Sequence, residues 1–304
     1  FGGEVHSFAA AFKERDIVEL LSISDHLVFN SFSQLEGFRP LWEQERSRVS
    51  IGLRVNPEHS EGHTEIYDPC AKNSRLGIPR REFDGKSLAG VDGLHFHTLC
   101  EHLFEPLART AKAFEEKFGE VLPGMKWLNL GGGHHITRAG YDIDGLVALV
   151  KYFRDKYDVE VYLEPGEAVV IGTGLLVGEV LDVVPNEIET AILDVSATCH
   201  MPDILEMPYR PEIFSGYDPG VKQYTYRLGG PSCLAGDIIG DWSFVQPLTA
   251  GDRLAFLDMA HYTMVKTTTF NGIQLPHLCV YEPEVGSLRV VRSFDYEDFR
   301  GRLS

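Results

Sequence analysis

The 304-residue chain carries 45 Asp plus Glu against 28 Lys plus Arg, a formal charge of -17 that repels nucleic acid and anionic membranes. No apolar run approaches the roughly 18 residues of a membrane span, and five widely spaced cysteines without a C-x-x-C pair suggest reduced thiols in a cytoplasmic protein. The expectation is a soluble globular protein, larger than one ordinary domain, with neither nucleic acid nor membrane as partner; the acidic surplus permits a cationic ligand without identifying one.

In chain order, Val5 to Phe12, Leu27 to Phe29, Arg48 to Val55, Gly93 to Phe96, Trp127 to Leu130 and Glu160 to Leu163 read as strands. Amphipathic segments lie between them. Phe104 to Phe118 repeats Leu107, Ala111, Phe114 and Phe118 at helical spacing, and Ile143 to Tyr157 is a second such segment. Strand and helix in alternation imply a parallel sheet, most simply an incomplete β/α barrel. After Gly172 the pattern turns β-rich, with strands expected over Gly174 to Val184, Thr190 to Val195, Tyr224 to Leu228, Arg253 to Leu257, Leu278 to Tyr281 and Leu288 to Ser293. A short helix is expected around Tyr296 to Arg300. The expected organisation is a barrel over residues 1–172 and an antiparallel β domain over 173–304.

The strongest local motif is Leu128-Asn129-Leu130-Gly131-Gly132-Gly133-His134-His135, a strand ending in three glycines. Such glycines let backbone N–H groups close around an anion, commonly a phosphate at the C-terminal end of a barrel strand. A plain flexible βα turn reads equally well locally, and the G-x-G-x-x-G dinucleotide spacing is absent. In Tyr162-Leu163-Glu164-Pro165-Gly166-Glu167 a carboxylate stands at a strand end before a forced turn, either as a functional group at the barrel mouth or as a capping group. His95, His97, His102, His134 and His135 lack a recognised metal-site spacing, so no metal is expected; adjacent His134 and His135 point apart. His97 closes a strand and offers an imidazole at the barrel mouth. Gly229 to Asp237 is a turn-rich loop displaying Cys233, and His261-Tyr262-Thr263 and Phe270-Asn271-Gly272 add a hydroxyl and a tight turn.

Taken in order, these pieces resemble the fold-type III pyridoxal-phosphate decarboxylases, the family of eukaryotic ornithine decarboxylase and diaminopimelate decarboxylase, which join a β/α (TIM-type) barrel to a C-terminal β domain. Matching marks run through nearly the whole chain: Leu53-Arg54-Val55-Asn56-Pro57, Ser74-Arg75-Leu76-Gly77-Ile78, His95-Phe96-His97, Gly131-Gly132-Gly133, Glu164-Pro165-Gly166, Gly230-Pro231-Ser232-Cys233 with Asp237, His261-Tyr262-Thr263 and Phe270-Asn271-Gly272. The resemblance implies pyridoxal 5'-phosphate as cofactor and a homodimer with shared active sites. It makes Gly131, Gly132 and Gly133 the phosphate cradle with Tyr262, sets His97 against the cofactor ring with Arg54 on the barrel floor nearby, and gives Glu164 the pyridine nitrogen. Cys233, donated across the dimer interface, would protonate the carbon that has lost CO2.

Two departures narrow the implied substrate. Glu167 stands where relatives usually have the arginine of Glu-Pro-Gly-Arg, and Leu234 follows the cysteine where amine-gripping relatives carry an acid. Together with Cys100-Glu101 and His200-Met201-Pro202-Asp203, this combination is similar to bacterial carboxynorspermidine decarboxylases, which implies Glu167 and Asp203 as substrate contacts, with carboxyspermidine as a second substrate. On local sequence alone Asp203 also reads as the start of a helix. A third departure concerns the cofactor lysine. None of the ten lysines sits in the family's strand motif, so the Schiff-base lysine is expected upstream of Phe1, and the chain by itself is expected to be inactive. Two other readings stay open: a catalytically inactive homologue binding a polyamine or a partner decarboxylase, and another fold-type III decarboxylase such as one acting on diaminopimelate. Glu164 argues against a racemase, since alanine racemases of this fold place an arginine at the pyridine nitrogen.

Overall fold

The structure, a computed structural model, describes residues 2–62 and 64–303, and its contacts divide the chain into two units, one ending at Val169 and the other starting at Val170.

In the first unit, β1 (His6–Phe8), β2 (His26–Phe29), β3 (Ser50–Asn56), β4 (Ile78–Pro79), β5 (Gly93–His95), β6 (Trp127–Asn129) and β7 (Glu160–Tyr162) form one parallel sheet. Its order is β1-β2-β3-β5-β6-β7, with β4 paired to β3 off that path. Strands β2 and β3 are buried almost throughout because helices cover the outer face, as parallel sheets require. The sheet curls. His6 of β1 meets Tyr162 of β7 edge-on at 4.6 Å between ring centroids, although the two strands are not hydrogen-bonded neighbours. This curvature is that of an incomplete β/α barrel.

Among the helices are α1 (Glu14–Ile23), α2 (Phe32–Gly37), α3 (Arg39–Trp42), α4 (Phe104–Phe118), α5 (Ile143–Tyr157) and α6 (Gly166–Val170). Helix α4 spans the expected residues and buries Leu107, Ala111, Phe114 and Phe118 as one stripe against Phe96 and Phe153. Helix α5 begins at the side chain of Asp142, which accepts from Gly145 N at 2.8 Å, and ends at Asp158 in the left-handed region. The strand expected over Val5 to Phe12 is confined to His6–Phe8. The three alanines after Phe8 bring little surface to bury, and the backbone of Phe12 turns to the Gln34 amide, donating at 2.9 Å and accepting at 3.1 Å.

The second unit contains a five-stranded sheet of order β11-β10-β9-β8-β12, built from β8 (Leu176–Val184), β9 (Glu189–Leu193), β10 (Tyr224–Gly229), β11 (Ile238–Phe244) and β12 (Arg253–Phe256). Val180, Leu193, Leu228, Trp242 and Phe256 fill its core. The pairings are antiparallel except that of β9 with β10, which is parallel. Strand β11 escapes the sequence pattern because Gly240 and Asp241 interrupt its apolar alternation. Short helices α7 (Ala197–His200), α8 (Asp203–Glu206) and α9 (Tyr262–Val265), a hairpin of β13 (Leu278–Glu282) with β14 (Ser287–Arg292), and α10 (Tyr296–Arg300) complete the unit. No helix among the described residues is long and apolar enough to cross a membrane, and Cys70, Cys100, Cys199, Cys233 and Cys279 are all unbridged.

Candidate active site

The strand ends of the first unit converge on Glu164. One oxygen accepts from Asn129 Nδ2 at 2.8 Å; the other lies 3.1 Å from His97 Nδ1 and 3.4 Å from His95 Nε2. His95 and Asn129 face each other across β5 and β6, and His95 and His97, two residues apart on an extended segment, share one face. Burial pushes the Glu164 carboxyl up, but the hydrogen bonds from His95 and His97 outweigh it and hold the group far below the usual carboxylate range. Burial in turn lowers the pKa of His95 against the pull of Glu164. Arg54 is buried with its guanidinium 4.6 Å from the Phe8 ring centroid, and it donates to the His97 carbonyl at 2.7 Å. Burial brings its pKa down to about 10, with Glu164 opposing.

Beside this centre, Gly131 (φ 72°) and Gly133 (φ 77°) are left-handed, a conformation any side chain would strain. A Cβ at Gly131 would stand 2.4 Å from the Phe96 carbonyl oxygen, at Gly132 2.0 Å from that of Glu164, and at Gly133 1.8 Å from that of Leu99. Gly131 N donates to Asn129 Oδ1 at 2.8 Å, Glu164 N donates to the Gly131 carbonyl at 2.8 Å, and Gly132 N lies 3.4 Å from His97 Nδ1. These residues fit pyridoxal phosphate: a bare-backbone cradle for an anion lies next to a half-buried, ionised carboxylate and an imidazole. His95, His97 and Glu164 also bring ligand atoms within 4.8 Å of one another, as do Glu4, His6 and His26. Glu167, in the first turn of α6, places Oε2 3.2 Å from His135 Nδ1.

In the second unit, Cys233 is exposed on a loop fixed by two groups. Asp237, buried, accepts from Ser196 Oγ at 2.8 Å, Ser232 N at 3.1 Å and Thr198 N at 3.2 Å, while Asn271 Oδ1 accepts from Cys233 N at 2.7 Å. Asp203 does open a helix, α8, yet its side chain does not cap it. It binds Lys266 Nζ at 2.5 Å, and Lys266 also meets Glu206 at 2.6 Å and lies over the Tyr262 ring at 5.4 Å. Tyr262 itself is exposed. Other lysines pair elsewhere, Lys126 with Asp92 at 2.9 Å and Lys156 with Glu115 at 2.7 Å. Asn129, Lys266 and Glu206 were not singled out in the sequence, and His135 was weighed there only as a metal ligand. Asn129 carried the clearest signal, as a polar residue inside an apolar strand run ahead of the glycines.

Residues 66–260 match the family described as the pyridoxal-dependent decarboxylase, C-terminal sheet domain. The chain belongs to the pyridoxal-dependent decarboxylases, and its architecture is that of the fold-type III class. It is 45% identical to the carboxynorspermidine/carboxyspermidine decarboxylase of Campylobacter jejuni, over 97% of this chain and 79% of that protein. It is 44% identical to the carboxyaminopropylagmatine decarboxylase of Synechocystis, over 100% of this chain and 78% of that one. Among solved structures, that of Campylobacter jejuni carboxynorspermidine decarboxylase complexed with norspermidine superposes with a TM-score of 0.88 at 44% identity, covering 99% of this chain and 81% of that one.

Proposed function

We propose that this protein removes CO2 from carboxynorspermidine and from carboxyspermidine, giving norspermidine and spermidine in polyamine biosynthesis. The observation that carries the reading is the Glu164 centre, a half-buried carboxylate held by Asn129 and kept ionised by His95 and His97 beside the three-glycine cradle. When bound, pyridoxal phosphate supplies the electron sink that accepts the pair left by departing CO2. With the cofactor bound, Glu164 would keep a proton on the ring nitrogen and His97 would contact the ring. Gly131 to Gly133 would hold the phosphate, Tyr262 is proposed to donate to it, and Arg54 would brace the strand end through the His97 carbonyl. Cys233, supplied across a homodimer interface to a shared active site, delivers the proton to the carbon that lost CO2.

Substrate amines fall to Glu167 and Asp203, each a carboxylate suited to one ammonium through a charge-assisted hydrogen bond. In the proposed division of labour, residues 1–172 carry most of the cofactor contacts, and 173–304 bring Cys233, Asp203 and Tyr262. Five unbridged cysteines accord with work in the cytoplasm. A second substrate reading, carboxyaminopropylagmatine, is favoured by the 44% identity to the Synechocystis relative over the whole of this chain. CO2 release from the three substrates, measured at equal concentrations with full-length protein, decides between them. Faster turnover of carboxyaminopropylagmatine, ornithine or diaminopimelate would overturn the proposal.

A further inference from the structure

The glycine loop runs on into a contact that the cofactor does not explain. His135 is two residues beyond Gly133, and its side chain is only 12% exposed. Its backbone is pinned on both sides: His135 N donates to the His102 carbonyl at 2.9 Å, and its own carbonyl accepts from Arg138 N at 3.0 Å. The neighbouring imidazole goes elsewhere, since His134 Nδ1 lies 2.7 Å from the Tyr141 hydroxyl. His135 instead turns its Nδ1 to Glu167, 3.2 Å from Oε2 of a carboxylate whose side chain is 22% exposed. A glutamate has three side-chain torsions to fix before it can grip a cation, and freezing them at binding weakens affinity unless a neighbour has already done so. A ring on a pinned backbone is such a neighbour.

We infer that His135 is a positioning residue for substrate affinity: it presets the Glu167 carboxylate that receives a substrate ammonium. This rests on the reading of Glu167 as an amine ligand. It assigns the loop after β6 two tasks, an anion cradle at 131–133 and, two residues on, a brace for an amine-binding carboxylate. The brace acts on binding alone, so its loss moves KM and leaves the chemical step in place.

The test uses full-length protein with carboxynorspermidine. His135→Ala and His135→Leu are expected to raise KM about 10-fold, with kcat within about twofold of the parent and the absorbance of bound cofactor unchanged. His135→Asn, whose amide restores an N–H donor near the Nδ1 position, should recover most of the KM. In a Glu167→Gln background, already raised in KM, His135→Leu should add little, the coupling expected of two residues acting through one contact. A fall in kcat at constant KM, or a full and additive loss in the Glu167→Gln background, would overturn the inference. An unchanged KM in Glu167→Gln alone would instead remove the reading of Glu167 as an amine ligand. If His135→Ala fails to fold, the comparison of His135→Leu with His135→Asn carries the same decision.

Discussion

Asn271 Oδ1 accepts the backbone N–H of Cys233 at 2.7 Å, from a residue itself in the left-handed region at φ 62°. The thiol therefore rides on a backbone held from outside its own loop, with buried Asp237 gripping the segment from within. Cys233→Ala should lower kcat by about 10²-fold while leaving cofactor absorbance intact, the loss expected when a positioned acid is removed. Asn271→Ala should give a smaller loss in the same direction, since the acid stays present but poorly aimed. Steady-state rates and cofactor spectra of the two variants check both.

Gly132 has no room for a side chain: a Cβ would stand 2.0 Å from the Glu164 carbonyl oxygen. Gly132→Ala must open the backbone between the cradle and Glu164, so the intact protein should bind pyridoxal phosphate at least 10-fold more weakly. Titration of the bound-cofactor absorbance measures it.

Asp203 is expected to bind a substrate ammonium, yet Lys266 already sits 2.5 Å from it. Two carboxylates, Asp203 and Glu206, converge on that one lysine, so Asp203 retains acceptor capacity for a second cation. Asp203→Asn should raise KM by about 10- to 100-fold with little change in kcat, the range for a charge-assisted hydrogen bond. Initial-rate kinetics over a range of substrate concentrations separates the two parameters.

Acid stability should expose Asp92. Burial pushes this carboxyl up, but Arg46, Lys126 and the Ile51 N–H outweigh it and bring the pKa down to about 2 from an ordinary 3.8. A folded-state pKa below the unfolded one stabilises the fold above the unfolded value, and that contribution, about 2 kcal/mol, is lost as pH falls from about 4 to 2. Asp92→Asn should be less stable than the parent at neutral pH, with the gap closing over that window in denaturant titrations.

The parallel sheet, the two long helices and the β-rich second half were legible because apolar periodicity reports burial directly, as Leu107, Ala111, Phe114 and Phe118 illustrate. Glu164, the glycines and Cys233 stand out as candidates in the sequence because each lies at a strand end or turn with unusual chemistry. Their supports do not. Asn129 reaches Glu164 across 35 positions, Asn271 reaches Cys233 across 38, and Lys266 reaches Asp203 across 63, and no local pattern encodes such pairings. The strand expected past Phe8 failed for a related reason: the side chain of Gln34, remote in sequence, captured the Phe12 backbone.

The hydrogen bond from Glu164 N to the Gly131 carbonyl, with Gly132 pressed against the Glu164 carbonyl, joins the turn after β7 to the glycine loop as one piece of backbone. Residues 164 to 166 are thereby committed to shaping the cofactor site and have no freedom to follow a change of substrate. The first side chain past that commitment is position 167, on the opening turn of α6. A turn built this way has a single adjustable tooth, so re-engineering for a different amine should begin at Glu167 and leave its three predecessors alone.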